Sequence, residues 1–230
     1  MDMNLKSIVY KIPYLSEIYY DFKYAGFPIP FRVIRPHSLL SNVNLFFLAE
    51  LIHRLEDKGL QGDFVECGVY NGGSAGLLAW EALQSQFNRK VYLYDAFSGM
   101  PQANDVKDDD YSKSIEGECV GSEQQVRRIM KRLSIPNERF EISKGWFEQT
   151  LPVSPKCPIA LLHIDCDFYD PVKLVLETFY NQVVVGGYVI LNDYGSFQGC
   201  RIATDEFISS LSNDISLNQI DRDAFFFVKK

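Results

Sequence analysis

The 230-residue sequence lacks the features that mark several classes of protein. No apolar run is long enough to cross a membrane, and the start has no basic stretch followed by an apolar one, as a secretion signal would. The five cysteines are odd in number and form no C-x-x-C pair, which argues against a disulfide framework or a structural zinc site. We therefore expect a cytoplasmic protein with reduced thiols.

Positive charge is also scarce, with 23 Lys and Arg against 30 Asp and Glu and a net charge of −7. Nucleic acids are bound mainly by Lys and Arg at phosphates, so we expect no nucleic-acid partner. The net charge does not exclude a nucleotide-like cofactor, because the charge of a local binding site can differ from that of the whole protein. The 47% of hydrophobic residues suffice for one full core, and the length fits one main domain.

The first forty residues are rich in Tyr, Phe and Pro. They predict a segment, residues 1–40, that packs as a cap on a main domain formed by residues 41–230. A lid over a binding site and a dimer surface are the alternatives. A membrane contact is disfavoured, because few basic residues accompany the aromatic ones.

From Ser41 the apolar pattern alternates between helical and strand periods. A first helix is predicted from Ser41 to Gly59, and later helices at Ser74–Gln86, Ser122–Leu133, Pro171–Asn181 and Cys200–Leu211. Strands are predicted at Asp63–Cys67, Lys90–Asp95, Arg139–Ser143, Pro158–Asp165, Gly187–Leu191, Ile215–Gln219 and Ala224–Val228, the last two as a candidate hairpin. Such alternation predicts an α/β sandwich around a largely parallel sheet.

A glycine-rich turn follows the first strand of the main domain. Gly68, Gly72 and Gly73 let the backbone approach a ligand closely, and Glu66 precedes them where it suits a cationic ammonium. The spacing differs from the dinucleotide fingerprint G-x-G-x-x-G. The glycines alone fit a tight strand-to-helix connection equally well. Asp95, at the end of the next strand, can accept two ribose hydroxyls and so favours an S-adenosylmethionine site.

An aromatic pair follows the third strand, in Gly145-Trp146-Phe147. One of these rings could stack on adenine. Ordinary packing of two apolar rings is the alternative.

Acidic and amide side chains follow the next two strands. Asp165 and Asp167 come directly after a buried strand, and Asn192 and Asp193 end the strand after it. Adjacent parallel strands would bring these side chains together, and oxygen ligands without clustered Cys or His favour a hard cation such as Mg²⁺. The structural alternative is that the acids cap helices, which we expect for Asp170 before Pro171.

His163 lies two residues before Asp165 and should face the same side of its strand. It could act as a general base. A single His among apolar neighbours is more often a core residue with a partner, and we favour that interpretation.

These motifs resemble the macrocin O-methyltransferase family, which methylates sugar hydroxyls of natural products. The resemblance is carried by GDFVECGVYNGGS (62–74), DAFSGMP (95–101), GWFEQTLP (145–152), LHIDCDFY (162–169) and GGYVILNDYG (186–195). It runs from Gly62 to the C-terminus in the expected order. Residues 1–40 match the family poorly.

The resemblance implies a class I methyltransferase fold, a Rossmann-like three-layer α/β/α sandwich with a mostly parallel seven-stranded sheet. It implies S-adenosylmethionine as methyl donor and bound Mg²⁺, with a homodimer or larger oligomer as an option. It extends the cofactor site over Glu66, Gly68, Tyr70, Asn71, Gly72, Gly73, Ser74, Asp95, Phe97, Ser98, Gly145, Trp146, Phe147 and Asp165. The metal ligands fall on Asp165, Asn192 and Asp193, where Asn192 replaces the usual first Asp of a D-D-Y motif.

The predicted activity is transfer of a methyl group to a hydroxyl of a small-molecule or glycan acceptor. Mg²⁺ would activate the hydroxyl, and Asp165 or Asp167 would take its proton. The loop Pro101–Gly121, with Asp108–Tyr111, is predicted to border the acceptor as a lid, against the alternative of a solvated acidic loop. Two other functions remain open: a metal-dependent hydrolase that uses the same Asp cluster, and a non-catalytic binding subunit.

Overall fold

A seven-stranded sheet forms the centre of the protein. The structure, a computed structural model, describes residues 26, 28–211 and 215–230. The strands are β1 (Asp63–Cys67), β2 (Val91–Asp95), β3 (Phe140–Lys144), β4 (Ile159–Ile164), β5 (Val183–Leu191), β6 (Asn218–Gln219) and β7 (Phe225–Val228). Their order is β3-β2-β1-β4-β5-β7-β6. The first five are parallel, and β7 pairs antiparallel with both β5 and β6.

Helices cover both faces of this sheet. They are α1 (Ile29–Ile34), α2 (Asn42–Asp57), α3 (Gly73–Gln84), α4 (Asp110–Ser114), α5 (Glu123–Arg132), α6 (Phe147–Thr150), α7 (Tyr169–Phe179) and α8 (Gln198–Ser210). Apolar side chains of α1, α2, α3 and α5 form one buried cluster with the sheet, and those of α7 and α8 form another. The predicted three-layer α/β/α sandwich with a mostly parallel seven-stranded sheet is confirmed. Within the described part of the chain, no helix is long and apolar enough to span a bilayer.

The central strands are apolar on both sides because both faces are covered. Every residue of β4 is buried. Side chains alternate between the layers: Leu161 joins the cluster with α1–α3, and its neighbour Leu162 joins the cluster with α7 and α8. Because β4 and β5 are paired in parallel, the polar residues that follow both strands lie at one edge of the sheet.

The starts of β5 and α7 differ from the predicted ones. Strand β5 begins at Val183, four residues before the predicted start, because Gly186 (φ 85°) breaks the sequence pattern without ending the strand. Helix α7 begins at Tyr169, so Asp170 lies inside its first turn and is not the predicted cap. The Tyr169 N–H instead donates to Asp108 Oδ1 (3.0 Å) from the distant loop. That loop contains α4, capped by Asp109.

The predicted N-terminal cap lies mainly in residues 1–25 and 27, outside the described residues. Its described end packs tightly on the main domain. A Cβ added at Gly76 of α3 would lie 2.9 Å from Ile34 of α1 and 2.6 Å from Ile129 of α5. The division at residue 40 stays a prediction.

The amino-terminal end of the sheet contains a buried cation. Arg89 is 1% exposed, and its guanidinium donates to Glu56 Oε1 (2.7 Å), Leu60 O (2.6 Å), Gly62 O and Ser85 Oγ (3.0 Å). It also lies over the rings of Phe64 and Phe87. At this end of the fold the buried guanidinium therefore has hydrogen-bond acceptors for each of its nitrogens.

Candidate active site

A cavity of about 630 Å³ opens at the carboxyl ends of the parallel strands. Loops after β1, β2, β4 and β5 form its floor. Residues 37–41 and Asn44 of the N-terminal region and residues from 99 to 119 form its walls. Open α/β sheets bind ligands at this edge, where strand order reverses.

The glycine-rich turn brings the two halves of the cavity together. Gly68 adopts φ 92°, and a Cβ there would lie 1.7 Å from the carbonyl oxygen of Asp165. The Asp165 N–H also donates to Cys67 O (2.9 Å). Only glycine allows this approach, so the turn after β1 lies directly against the acidic end of β4.

Asp95 is held by backbone amides. Its Oδ2 accepts from the N–H groups of Val69 (2.7 Å) and Tyr70 (2.8 Å), and its Oδ1 accepts from that of Phe97 (2.5 Å). Tyr70 and Phe97 both have positive φ. The Oδ1 atom keeps a lone pair for another donor, and the side chain lines the cavity.

The cavity collects eight of the predicted cofactor residues. Gly68, Tyr70, Gly73, Ser74, Asp95, Trp146, Phe147 and Asp165 line it. Six others do not: Glu66, Asn71, Gly72, Phe97, Ser98 and Gly145. Gly72 (φ 85°) lies immediately before α3 in a left-handed conformation and so shapes the turn. The cofactor contacts of all these residues stay predictions.

Glu66 and His163 form a fully buried pair beneath the cavity. His163 Nδ1 lies 2.9 Å from Glu66 Oε1. Burial raises the pKa of Glu66, opposed by His163. Burial lowers the pKa of His163, but the bond and charge of Glu66 and the charge of Asp165 outweigh it and leave the pKa raised. His163 does not line the cavity, as expected of a core residue.

The acidic cluster is assembled as the sequence predicts from strand ends. Asn192 Nδ2 donates to Asp165 Oδ1 (2.8 Å), and the Asp167 N–H donates to Asp193 Oδ2 (3.2 Å). The Asn192 N–H donates to Ile164 O (2.9 Å), which fixes the register of the two strand ends. All four side chains line the cavity.

Burial and mutual repulsion disfavour the ionised form of the acids in this cluster. Burial and Asp165 raise the pKa of Asp167 to about 8, and burial with both neighbouring acids raises that of Asp193 well above its usual value. Among the described residues that line the cavity there is no Lys or Arg. His37 is the basic residue there, and burial with the Arg132 charge lowers its pKa to about 4.

The side chains of the acidic cluster are of the types that bind a hard cation, but the Asn192 amide is not oriented to do so. Carboxylate and amide oxygens are the ligands that Mg²⁺ prefers. Asn192, however, turns its nitrogen toward Asp165, and its Oδ1 accepts from Asn44 Nδ2. The described part of the chain contains no group of three or more Asp, Glu, His or Cys side chains arranged to hold a metal ion.

Several residues that line the cavity were not predicted from the sequence. Asn44 is 3% exposed on the apolar face of α2, and a polar residue at such a position is a detectable signal. Asp221 and Asp223, in the β6–β7 turn, and Phe197, after β5, also line the cavity, and no local pattern points to them.

The loop 101–121, predicted to border the acceptor, lines the cavity through Pro101, Gln102, Tyr111, Ile115 and Cys119 among others, and its contact with an acceptor stays a prediction. Its Asp108 is buried and fixed to Asn104 N (2.8 Å) as well as to α7. Movement of this loop as a lid stays a prediction.

The sheet order, the glycine turn and the amide-held Asp95 define the class: an S-adenosylmethionine-dependent methyltransferase with the class I fold. The particular family follows from comparison with known proteins. The chain belongs to the macrocin O-methyltransferase (TylF) family, whose profile matches residues 34–229. It is therefore an S-adenosylmethionine-dependent O-methyltransferase, which decides against the hydrolase and the non-catalytic subunit.

Two curated relatives and one solved structure illustrate this membership. Demethyldecarbamoylnovobiocin O-methyltransferase of Streptomyces niveus is 30% identical over 201 residues, which are 83% of this chain and 74% of that protein. 8-Demethyl-8-(2,3-dimethoxy-alpha-L-rhamnosyl)-tetracenomycin-C 4'-O-methyltransferase of Streptomyces olivaceus is 27% identical over 198 residues, 83% of this chain and 74% of that protein. The structure of the O-methyltransferase NovP aligns with a TM-score of 0.77 at 28% identity, covering 84% and 82% of the two chains.

Proposed function

We propose that the protein transfers a methyl group from S-adenosylmethionine to a hydroxyl of a sugar on a glycosylated natural product or polysaccharide, with a divalent cation such as Mg²⁺. The observation that carries this is the contact between the glycine turn at Gly68 and the acidic end of β4 at Asp165. It puts a cofactor cradle and a set of hard oxygen ligands in one cavity. The relative from Streptomyces olivaceus has a rhamnosyl compound in its name, which supports a sugar acceptor.

The cofactor half of the cavity lies between the β1 turn and Trp146. Bound S-adenosylmethionine would supply an electrophilic methyl group. The free N–H groups at the start of α3 and the turn at Gly68 and Gly73 would hold its methionyl end. Asp95 is oriented to accept a ribose hydroxyl at Oδ1, and Trp146, 38% exposed, offers a ring for stacking on adenine.

The acceptor half is formed by the acidic cluster. A bound cation would lower the pKa of the acceptor hydroxyl and orient it. Asp165, Asn192 and Asp193 would hold this cation, once the Asn192 amide presents its oxygen. Asp165 or Asp167 would take the hydroxyl proton. Burial raises the pKa of both side chains, so each is a stronger base than an ordinary carboxylate when it is ionised.

Aromatic rings border the acceptor half. Tyr111 is 60% exposed, and its ring lies 5.8 Å from that of Phe197, with both residues lining the cavity. Aromatic faces pack well against the apolar faces of sugar rings. These rings therefore favour a carbohydrate acceptor over a small aliphatic alcohol.

The charges of the acceptor half bear on the form of the sugar. Glu118, Asp170, Asp221 and Asp223 line the cavity in addition to the acidic cluster, without Lys or Arg among the described lining residues. A diphosphate would be repelled here, and a neutral or cationic sugar would not. We therefore infer a sugar that has already been transferred from its nucleotide carrier.

Calorimetric titration with S-adenosylhomocysteine, with and without Mg²⁺, tests the cofactor and the cation separately. We expect the parent protein to bind and Asp95→Ala to bind at least about tenfold more weakly, because it loses the ribose contact and the anchor of the β1 turn. Asp105→Ala is the matched control, since Asp105 is exposed and outside the cavity. Absence of binding by the parent protein would contradict the proposed site, and absence of any Mg²⁺ heat would remove the cation from it.

A further inference from the structure

Asn44 is a buried amide on a helix that carries no recognisable methyltransferase motif. It is the third residue of α2, and its N–H donates to the capping Ser41 Oγ (3.0 Å). The side chain is 3% exposed and extends to the end of β5, where its Nδ2 donates to Asn192 Oδ1. Its own Oδ1 is buried and has no hydrogen-bond partner among the described residues.

The bond from Asn44 determines which way Asn192 faces. Asn192 Oδ1 is occupied by Asn44, so Asn192 turns Nδ2 toward Asp165 Oδ1 (2.8 Å). An amide nitrogen cannot bind a cation, whereas an amide oxygen can. In this orientation Asn192 serves Asp165 as a hydrogen-bond donor and offers no ligand to a metal ion.

A concerted turn of both amides would reverse this arrangement without the loss of the bond between them. If each side-chain amide rotates by half a turn, Asn192 Nδ2 donates to Asn44 Oδ1, and Asn192 Oδ1 faces Asp165 and Asp193. The Asn44 oxygen then gains the partner that it lacks here. The outward oxygen would face carboxylates, so this second orientation needs a cation between them.

We propose that Asn44 is a positioning residue of the cation site, and that it holds Asn192 in one of two orientations according to whether a divalent cation is bound. This inference rests on the cation use proposed above. It also explains how an Asn can stand at position 192 where the family has an Asp: a carboxylate presents oxygen in either orientation, but an amide must be oriented by a partner. Asn44, with one donor group and one acceptor on the same side chain, serves both orientations.

The test measures Mg²⁺ affinity by calorimetry on protein loaded with S-adenosylhomocysteine, so that activity is not the readout. Asn44→Leu has nearly the same volume and can neither donate nor accept. We expect it to bind Mg²⁺ about tenfold more weakly, as for other residues that orient a metal ligand, with unchanged affinity for S-adenosylhomocysteine. Asn42→Leu makes the same substitution at an exposed position of α2 and should bind Mg²⁺ like the parent protein.

The rescue experiment separates positioning from a general structural role. In the Asn192→Asp background, position 192 presents oxygen without help, so a further Asn44→Leu substitution should leave Mg²⁺ affinity unchanged within about twofold. Thermal unfolding with and without Mg²⁺ gives a second readout: the Mg²⁺-dependent rise in Tm should shrink in Asn44→Leu and return in the double variant.

Each result decides the proposal. Parent-like Mg²⁺ affinity in Asn44→Leu, or a loss that persists in the Asn192→Asp background, would overturn the role of Asn44 and leave the cation site intact. If the parent protein binds no Mg²⁺ while it still binds S-adenosylhomocysteine, the cation use fails first and the role of Asn44 fails with it.

Discussion

The two ends of the parallel sheet differ in whether their buried ionisable side chains have partners of opposite charge. At the amino-terminal end, Arg89 is buried with Glu56 and with hydrogen bonds to backbone carbonyls. At the carboxyl end, Asp165, Asp167 and Asp193 face one another without a Lys or Arg among the described lining residues. Buried charges are ordinarily paired, so the first arrangement stabilises a fold, and the second indicates a site prepared for something that the chain itself does not supply.

The difference also shows in the backbone. The Arg89 guanidinium bonds carbonyls that precede β1 and so joins α2, β1 and the β2 entrance into one rigid unit. The acidic cluster stands on strand ends with Asp167 at φ 60°, a strained conformation for a non-glycine residue. Strain together with unpaired charge is typical of active sites, which give up stability for function.

Asp193→Asn should have the largest effect and test the carboxyl end directly. It replaces a charged ligand of the proposed cation by a neutral amide, whose oxygen can still accept from the Asp167 N–H. Methyl transfer should fall by about 10³-fold, because a bound cation stabilises the transition state by several kcal/mol. The free energy of unfolding should not fall, because one of three mutually repelling carboxylates is removed. Activity assays and urea unfolding measure the two. Loss of stability by several kcal/mol would show that the acids are structural.

Arg89→Met tests the amino-terminal end. It breaks a buried ion pair, leaves Glu56 with only the Ser85 hydroxyl as donor and removes the Arg89 donors from two carbonyls, so the free energy of unfolding should fall by about 3–5 kcal/mol. Affinity for S-adenosylhomocysteine, measured below the lowered Tm, should be unchanged. Arg54→Met is the matched control, because Arg54 and its partner Glu50 are both exposed on α2. Similar losses in the two variants would remove the contrast between the ends of the sheet.

His37 tests whether the cavity has a cation of its own. Its pKa is lowered from 6.5 to about 4, so the unfolded chain binds a proton more readily than the folded protein between these values. Stability should therefore be full above pH 6.5 and decline as pH falls toward 4, by about 2 kcal/mol at pH 5. Urea unfolding of the parent protein and of His37→Gln measures this decline.

The His37→Gln variant should lose that part of the pH dependence, whereas His53→Gln, at an exposed histidine, should keep it. If His37→Gln retains the full decline, His37 is not the group responsible. If His37 were protonated at neutral pH, the acidic end of the sheet would contain a cation, and the contrast with the paired Arg89 at the other end would be weaker.

Trp146→Ala should have the smallest effect. If the ring stacks on adenine, its loss should weaken S-adenosylhomocysteine binding by about 1–2 kcal/mol, roughly tenfold, by analogy with the stacking of bases on aromatic residues. Trp146→Phe keeps a ring and should retain most of the affinity. Equal losses in both variants would point to packing of the loop rather than stacking, and no loss in either would place the adenine elsewhere.

The sequence by itself determined most of the fold and the composition of the acidic cluster. The pattern of apolar residues predicted β1 at its observed bounds, and β2 and α5 within a residue or two of theirs. Because parallel strands end at one edge, the order of strands alone brought Asp165 to Asn192 and Asp193. The glycines of the β1 turn were recognisable because positive φ values demand them locally.

Only the tertiary structure decided which side chains act together. Asp108 accepts from the N–H of Tyr169, 61 residues later in the chain, and so takes the role at the helix start that was predicted for Asp170. The hydrogen bond between Glu66 and His163 joins residues that are 97 positions apart. The one between Asn44 and Asn192 joins residues that are 148 positions apart. Local periodicity describes the face on which a residue lies, whereas these partners depend on how loops and a flanking helix pack over the sheet. A hydrogen bond forms only where packing brings a donor and an acceptor within about 3 Å of each other, and no local pattern in a single sequence predicts that distance.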